Sequence, residues 1–229
     1  MDQVHTSLTG ISIQVSLSGY SFKVNTPTGV KCSGWEGAER LFVTPEFQRR
    51  YDKVEISLLT PKVALVPEVF FRPETARQAL SEVVSLEEED FVESVPVPGT
   101  AAVLVYSNSI GESLSKVLSQ TVLPASGNPV RVLPEMYYLL TALESLSEYN
   151  RIIASWRDGW LHLVIAQGKS LRLANVYEAP DFVTAQYFLF LAMKQLQLNP
   201  EVSTICFRTP LEPDAQMSLY RYFKAVVEL

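Results

Sequence analysis

The chain is poor in the residues that most catalysis and metal chemistry draw on, with two histidines and two cysteines among 229 residues. A structural zinc site needs about four Cys or His ligands at short, characteristic spacings. Cys32 and Cys206 lie far apart with no ligand spacing, and two free thiols of a reducing compartment are expected rather than a disulfide framework. His5 stands near the start. His162 sits between Leu161 and Leu163, on the strand face opposite them. Neither has a partner cluster, so a packing or solvent-facing role is expected over a ligand or a base. "GESLS" lacks the G-x-S-x-G spacing of a nucleophile elbow.

Basic charge is also short: 19 Lys and Arg stand against 25 Asp and Glu, a net charge of −6. Phosphate backbones are bound through clustered cations, so this balance argues against nucleic acid. The densest basic stretch, "EFQRRYDK", is interrupted by Glu46 and Asp52 and reads as a solvated helix end. Long apolar runs are missing too. "DFVTAQYFLFLAMKQLQL" carries Gln186, Lys194, Gln195 and Gln197, whereas a membrane span needs about 20 nearly uninterrupted apolar residues. It reads as a helix buried inside a protein. "MDQVHTSLTG" has neither the basic nor the apolar region of a secretory signal, so a cytoplasmic location is expected. The run Glu87 to Asp90 reads as a solvated acidic face rather than a metal site, because successive carboxylates on a helix diverge around its axis.

What the sequence does have is a globular composition, 47% hydrophobic and 19% charged, enough to bury a core in one large or two small domains. Ile11, Ile13, Val15 and Leu17 alternate with polar residues; Ser18-Gly19 turns the chain and Tyr20, Phe22 and Val24 resume the alternation, predicting a hairpin. Short helices are expected over Glu36 to Phe42 and "PEFQRRY", a strand pair or bent strand over "KVEISLLTPKVALVP", and a helix over "RPETARQALSEVVS". "AAVLVYS" reads as a covered strand, "IGESLSKVLSQ" as a helix capped by Asn108 or Ser109, "NPVRVLP" as a strand and "PEMYYLLTALESLSEY" as a helix. After Asn150 the pattern restarts: "RIIASW", the hairpin signal Asp158-Gly159, "WLHLVIA", a turn at Gln167-Gly168, and "KSLRLANVYEA". Asp181 is placed to cap a long helix that Asn199-Pro200 ends. "VSTICFRT" then reads as a strand and "DAQMSLYRYFKAVVEL" as a final helix.

Two hairpin-rich starts, each followed by helices and covered strands, imply a duplicated unit of mixed α/β class. Aligned through their turns, the copies set Gly168 on Gly19, Leu171 on Phe22 and Leu173 on Val24. The chain is therefore divided into residues 1–149, a first copy with an insertion, and 150–229, a second.

This layout resembles the actin-like ATPase fold, built from two ribonuclease H-like subdomains. "LRLANVYEAPDFVTAQYFLFLAMKQLQLNPEVSTICF" and the closing "LYRYFKAVVEL" resemble a bacterial family of the Bacteroides group, a domain of unknown function assigned that fold. More distantly, the layout is similar to the cytoplasmic actin-like proteins of type IV pilus and type II secretion machines, by fold analogy. The resemblance implies nucleotide contacts at a hairpin in each half and at a third, glycine-rich turn. There a carboxylate positions Mg²⁺, and residues without a Cβ let backbone N–H groups reach phosphate. All three positions depart from that pattern. No acidic residue stands near Ser16; Ala154, Ser155 and Trp156 replace Asp-x-Gly; Arg208, Thr209 and Pro210 replace paired glycines.

"GKS" at Gly168 to Ser170 is not a phosphate loop either. Leu163 occupies the place of the earlier glycine, and a strand follows where a helix is required. The expectation is a non-catalytic actin-like protein with no cofactor and no metal, acting on a protein partner. The binding place expected is a cleft between the halves, walled by the turns near Ser18-Gly19 and Asp158-Gly159, with Trp156, Arg157 and Trp160 as the candidate anchors. The alternative is a nucleotide or small-ligand binder using altered contacts in that cleft, where Lys169 and Arg208 would supply phosphate charge.

Overall fold

The computed structural model describes residues 9–108, 112–122, 124–128 and 130–229. In chain order its strands and helices begin β1 (Gly10–Val15), β2 (Gly19–Thr26), β3 (Gly29–Cys32), β4 (Glu36–Gly37), β5 (Lys53–Leu58), β6 (Val63–Pro67), α1 (Ala76–Ser81), β7 (Val92–Val97), β8 (Ala102–Ser107) and α2 (Glu112–Thr121). They continue with β9 (Val132–Pro134), α3 (Glu135–Ala142), β10 (Asn150–Arg157), β11 (Trp160–Gln167), β12 (Ser170–Glu178), α4 (Phe182–Gln195), β13 (Thr204–Phe207), α5 (Pro213–Tyr220) and β14 (Ala225–Glu228). The chain forms two compact units, Met1–Thr60 with Asn108–Pro134, and Pro61–Ser107 with Glu135–Leu229. These units and the two sequence halves are different partitions of the chain.

In the first unit the sheet runs β3-β2-β1-β5-β9, with β4 added to β2. β1 is antiparallel to β2 and parallel to β5. The alternation sends Ile11, Ile13, Val15, Phe22 and Val24 to one face, where they bury against Leu41, Phe47, Tyr51, Leu118 and Val122. Two 3₁₀ turns, Ala38–Val43 and Pro45–Gln48, supply Leu41 and Phe47 where short helices are expected.

In the second unit the sheet runs β12-β11-β10-β13-β14, again three antiparallel strands followed by two parallel ones. The two five-strand paths share one topology, and this is the duplication read from the sequence. Its register, however, differs from the turn alignment. β1 and β10 are each the strand that pairs antiparallel on one side and parallel on the other, so the turn before Gly19 matches Asp158-Gly159 and not Gly168. Ile152, Ala154, Leu161, Leu163, Ile165, Ile205 and Phe207 pack beneath α4 and α5. The opposite face meets α3, and this is why Ile153, Val164 and His162 are fully buried as well. The Asp181 side chain caps α4 by accepting from Thr184 N at 2.7 Å. Of the two expected caps of α2, Ser109 lies outside the described residues.

The chain between β5 and α2 forms a third sheet, β6-β8-β7, with α1 packed on it through Ala76 and Leu80 against Val105. β5 and β6 therefore belong to separate sheets rather than to one pair or one bent strand. The expected final helix also divides. α5 ends at Tyr220, and Ala225–Glu228 instead pairs in parallel with β13.

Candidate functional site

The first hairpin turn closes on itself. Ser16 N donates to Gly19 O at 2.9 Å, Ser18 N donates to Ser16 Oγ at 3.1 Å, and the Trp35 indole donates to Ser18 Oγ at 3.0 Å. β4 pairs with Gly19 and Tyr20 just behind the turn. A Cβ on Gly19 would collide with the Glu36 carbonyl, so this glycine serves close strand packing.

The matching turn of the second unit has Asp158 at φ 52° and Gly159 at φ 77°, the left-handed pair of a two-residue hairpin. Its strand ends are tied down. The Trp156 indole donates to Ala179 O at 2.9 Å, and its ring meets Phe182 edge-on at 5.2 Å. The buried Thr209 hydroxyl accepts from Trp156 N at 3.1 Å, and Arg157 Nη2 donates to Pro210 O at 3.3 Å. Trp156, Arg157 and Trp160 are all half-buried, with the first two held by contacts inside their own unit.

At the third position Arg208 turns inward. It donates to Glu135 Oε2 at 2.5 Å, and its guanidinium carbon stands 4.6 Å from the centre of the Tyr138 ring. Its backbone N–H is taken by Ala154 O at 2.9 Å. Trp35, Trp156 and Arg208, at or beside the three positions named from the sequence, are thus each hydrogen-bonded within their own unit.

The Gly168 turn is equally closed: its N–H donates to Tyr149 O at 2.8 Å and its carbonyl accepts from Arg151. Lys169 projects from this turn, exposed, beyond the Asn150↔Gln167 pair, while Arg208 follows Phe207, which pairs with Ala154. Five strand residues therefore separate their levels, about 17 Å at 3.3 Å per residue, and Arg208 is already committed to Glu135. The structure does not bring these two cations together.

Of the histidines, His5 lies outside the described residues, and His162 is buried opposite Ser155 and Val176. The acidic run corrects the sequence reading twice: it forms a turn and not a helix, and Asp90 is buried there, accepting from Lys62 Nζ at 2.6 Å, Ser107 Oγ at 2.5 Å and Glu87 N at 2.7 Å. Burial would raise its pKa; these three bonds outweigh that and hold it below the ordinary aspartate value. No group of three His, Cys, Asp or Glu among the described residues is placed to hold a metal ion. Sequence reasoning missed Trp35 and Glu135, because each acts on a residue distant in the chain with no local pattern to announce it.

A family model described as a protein of unknown function (DUF3822) matches residues 1–226. The chain belongs to that family. Among solved structures it is similar to a Bacteroides thetaiotaomicron protein with actin-like ATPase fold and unknown function, at 16% identity and a TM-score of 0.65, covering 100% of this chain and 93% of that one. It is similar to the PilM–PilN type IV pilus biogenesis complex at 14% identity and a TM-score of 0.54, over 96% and 88% of the two chains. The cytoplasmic domain of EpsL, an inner membrane component of the Vibrio cholerae type II secretion system, aligns at 15% identity and a TM-score of 0.48, over 89% and 82%. No curated protein matches the chain. The fold of this DUF3822 member is thus the actin-like ATPase fold that the sequence resemblance implied. No helix among its described residues is long and apolar enough to cross a membrane.

Proposed function

We propose that this protein is a non-catalytic member of the actin-like fold, cytoplasmic, that works by binding another protein. What supports this reading is that Trp35 beside the first expected nucleotide position, and Trp156 and Arg208 at the other two, are each hydrogen-bonded within the chain. An active site keeps its donors free for the ligand; here the donors are spent on structure. The matched strand orders support taking 1–149 and 150–229 as two ribonuclease H-like halves that have kept their frame. The similarity to a pilus biogenesis complex of two named proteins supports a protein partner by fold analogy alone. Arg157 and Trp160, beside the Asp158-Gly159 turn, are the residues we assign to partner contact, with Trp156 positioning them from behind. The separation of Lys169 from Arg208 weighs against a phosphate-binding alternative.

The test is a thermal melt with Mg²⁺–ATP, Mg²⁺–ADP and GTP at millimolar concentration. A ligand at a hundred times its dissociation constant stabilises by about 2.7 kcal/mol, a rise of roughly 5–10 °C for a chain of this size. No rise is expected, and a rise with any nucleotide overturns the reading. Arg157→Ala and Trp160→Ala are expected to abolish capture of the partner; unchanged capture removes these residues from the assignment.

A further inference from the structure

The edge of the first sheet carries a groove of about 360 Å³ between β3 and the two 3₁₀ turns, lined by Phe22, Lys31, Cys32, Arg40, Val43 and Glu46 among others. All of it lies within the first unit. Among the described residues β3 is the end strand and pairs only with β2. Ser33 N donates to Phe22 O at 2.8 Å. By antiparallel alternation the backbone groups of Lys31 also face β2, and those of Val30 and Cys32 face outward. No strand among the described residues takes that outward edge.

Edge strands are commonly guarded by a lysine that projects over the edge. Lys31 does not serve that way. It lies opposite Val24, on the core side of the sheet, and reaches across to Glu46 on the second 3₁₀ turn. Arg40 is bonded in turn to Glu36 at 2.6 Å. In both pairs the cation is outside and the carboxylate beneath: the Lys31 and Arg40 side chains are 67% and 63% exposed, those of Glu46 and Glu36 11% and 27%. An ammonium has three donors and a guanidinium five, so one carboxylate each leaves further N–H groups at the mouth of the groove. The mouth therefore presents the exposed donors of two cations whose paired carboxylates lie deeper, beside the outward backbone groups of Val30 and Cys32.

We propose that this groove takes an extended acidic segment of a partner protein, which adds to β3 as an edge strand and sets carboxylates at every second residue against Lys31 and Arg40. Main-chain pairing supplies affinity in such strand addition, and alternate side chains supply specificity. The proposal rests on the reading that this protein works through a protein partner, and it adds a surface apart from Arg157 and Trp160.

Cys32, opposite Lys23 on the sheet face away from Lys31, reports on a strand added along the β3 edge; it is exposed while Cys206 is 3% accessible, so a thiol reagent reads Cys32. The probes are three peptides, Ac-VEVEVE-NH₂, its block isomer Ac-VVVEEE-NH₂ and Ac-VKVKVK-NH₂. At a dissociation constant on the order of 0.1 mM, about 1 mM Ac-VEVEVE-NH₂ slows the reaction of Cys32 with a disulfide reagent about tenfold. It also slows amide exchange at Val30 and Cys32 specifically. Lys31→Gln and Arg40→Gln each weaken the protection, as does added salt. An unchanged Cys32 rate on the native chain, or equal protection by the lysine or the block peptide, overturns the proposal whether or not the variants fold. Loss of the partner by Arg157→Ala with Cys32 unprotected by peptide leaves the partner reading standing and removes only the groove.

Discussion

Arg208 donates to Glu135 at 2.5 Å across 73 residues of sequence, with side chains 12% and 0% exposed. Removing one partner of a buried pair strands the other's charge, whereas replacing both with apolar groups restores a matched environment. Arg208→Met or Glu135→Leu alone is expected to cost about 3–5 kcal/mol in urea unfolding. The double variant is expected to be less destabilised than the worse single one. A double variant as unstable as the sum of the singles would falsify the pairing as the source of the cost.

Asp90 and Glu46 set a pH dependence. Hydrogen bonding from Lys31 holds the Glu46 carboxyl below its ordinary range, and the bonds from Lys62, Ser107 and Glu87 do so for Asp90 against its burial. A carboxylate with a lowered folded pKa contributes stability that is full above its unfolded value, near 4, and is lost as pH falls through the folded one. Stability is therefore expected to decline on acidification below about pH 5. Asp90→Asn loses charge-assisted bonds worth about 1.5–3 kcal/mol at neutral pH and shows a shallower acid decline. A decline as steep as in the native chain would place its origin elsewhere.

Local patterning carried the frame of the fold and failed where pairing is distant. The alternation from Ile11 to Val24 and the Asp158-Gly159 and Asp181 signals each describe a few consecutive residues, and each element stands where the pattern puts it. "AVVE" after Tyr222 is ambiguous locally. Its valines become a strand because Thr204–Phe207 lies open beside them, a tertiary fact that no window of the sequence holds. The repeat was visible by its hairpins, yet its register needed the parallel neighbours β5 and β13 to settle which turn matches which. At the candidate site the absences were legible: no carboxylate near Ser16, and bulk at Trp156 and Arg208. The residues that close those places, Trp35 and Glu135, were not, because hydrogen bonds between distant side chains leave no periodic trace.

The two glycines of the first hairpin strands answer differently to a methyl group. At Gly19 it meets the Glu36 carbonyl, fixed by β4 pairing, and the Trp35 indole, held by Ser18 Oγ, whereas at Gly10 the nearest atom is Lys53 O at 3.6 Å, an ordinary contact. Gly19→Ala is expected to cost about 1–3 kcal/mol through overpacking and to shift the Trp35 indole N–H resonance. Gly10→Ala is expected to stay within about 0.5 kcal/mol. An unshifted Trp35 signal in Gly19→Ala would show that the indole does not close against this turn.

The "GKS" turn separates a structural cation from a decorative one. Arg151 donates to Leu143 O at 2.8 Å and to the Gly168 carbonyl, so it ties the end of the α3 segment to the β11–β12 turn. Lys169 is exposed at the turn tip. If the turn bound phosphate, Lys169 would matter to ligand response and Arg151 only to folding. If it is a hairpin, Lys169 matters to neither. Arg151→Met is expected to lose about 1.5–3 kcal/mol, the worth of hydrogen bonds from a charged donor, because two carbonyls lose their partner together. Lys169→Ala is expected to remain within about 0.5 kcal/mol and to leave melts in inorganic phosphate and in Mg²⁺–ATP unchanged. A phosphate-dependent rise in Tm that Lys169→Ala removes would return this turn to the list of ligand sites, and a neutral Arg151→Met would show that the turn holds its shape without the arginine.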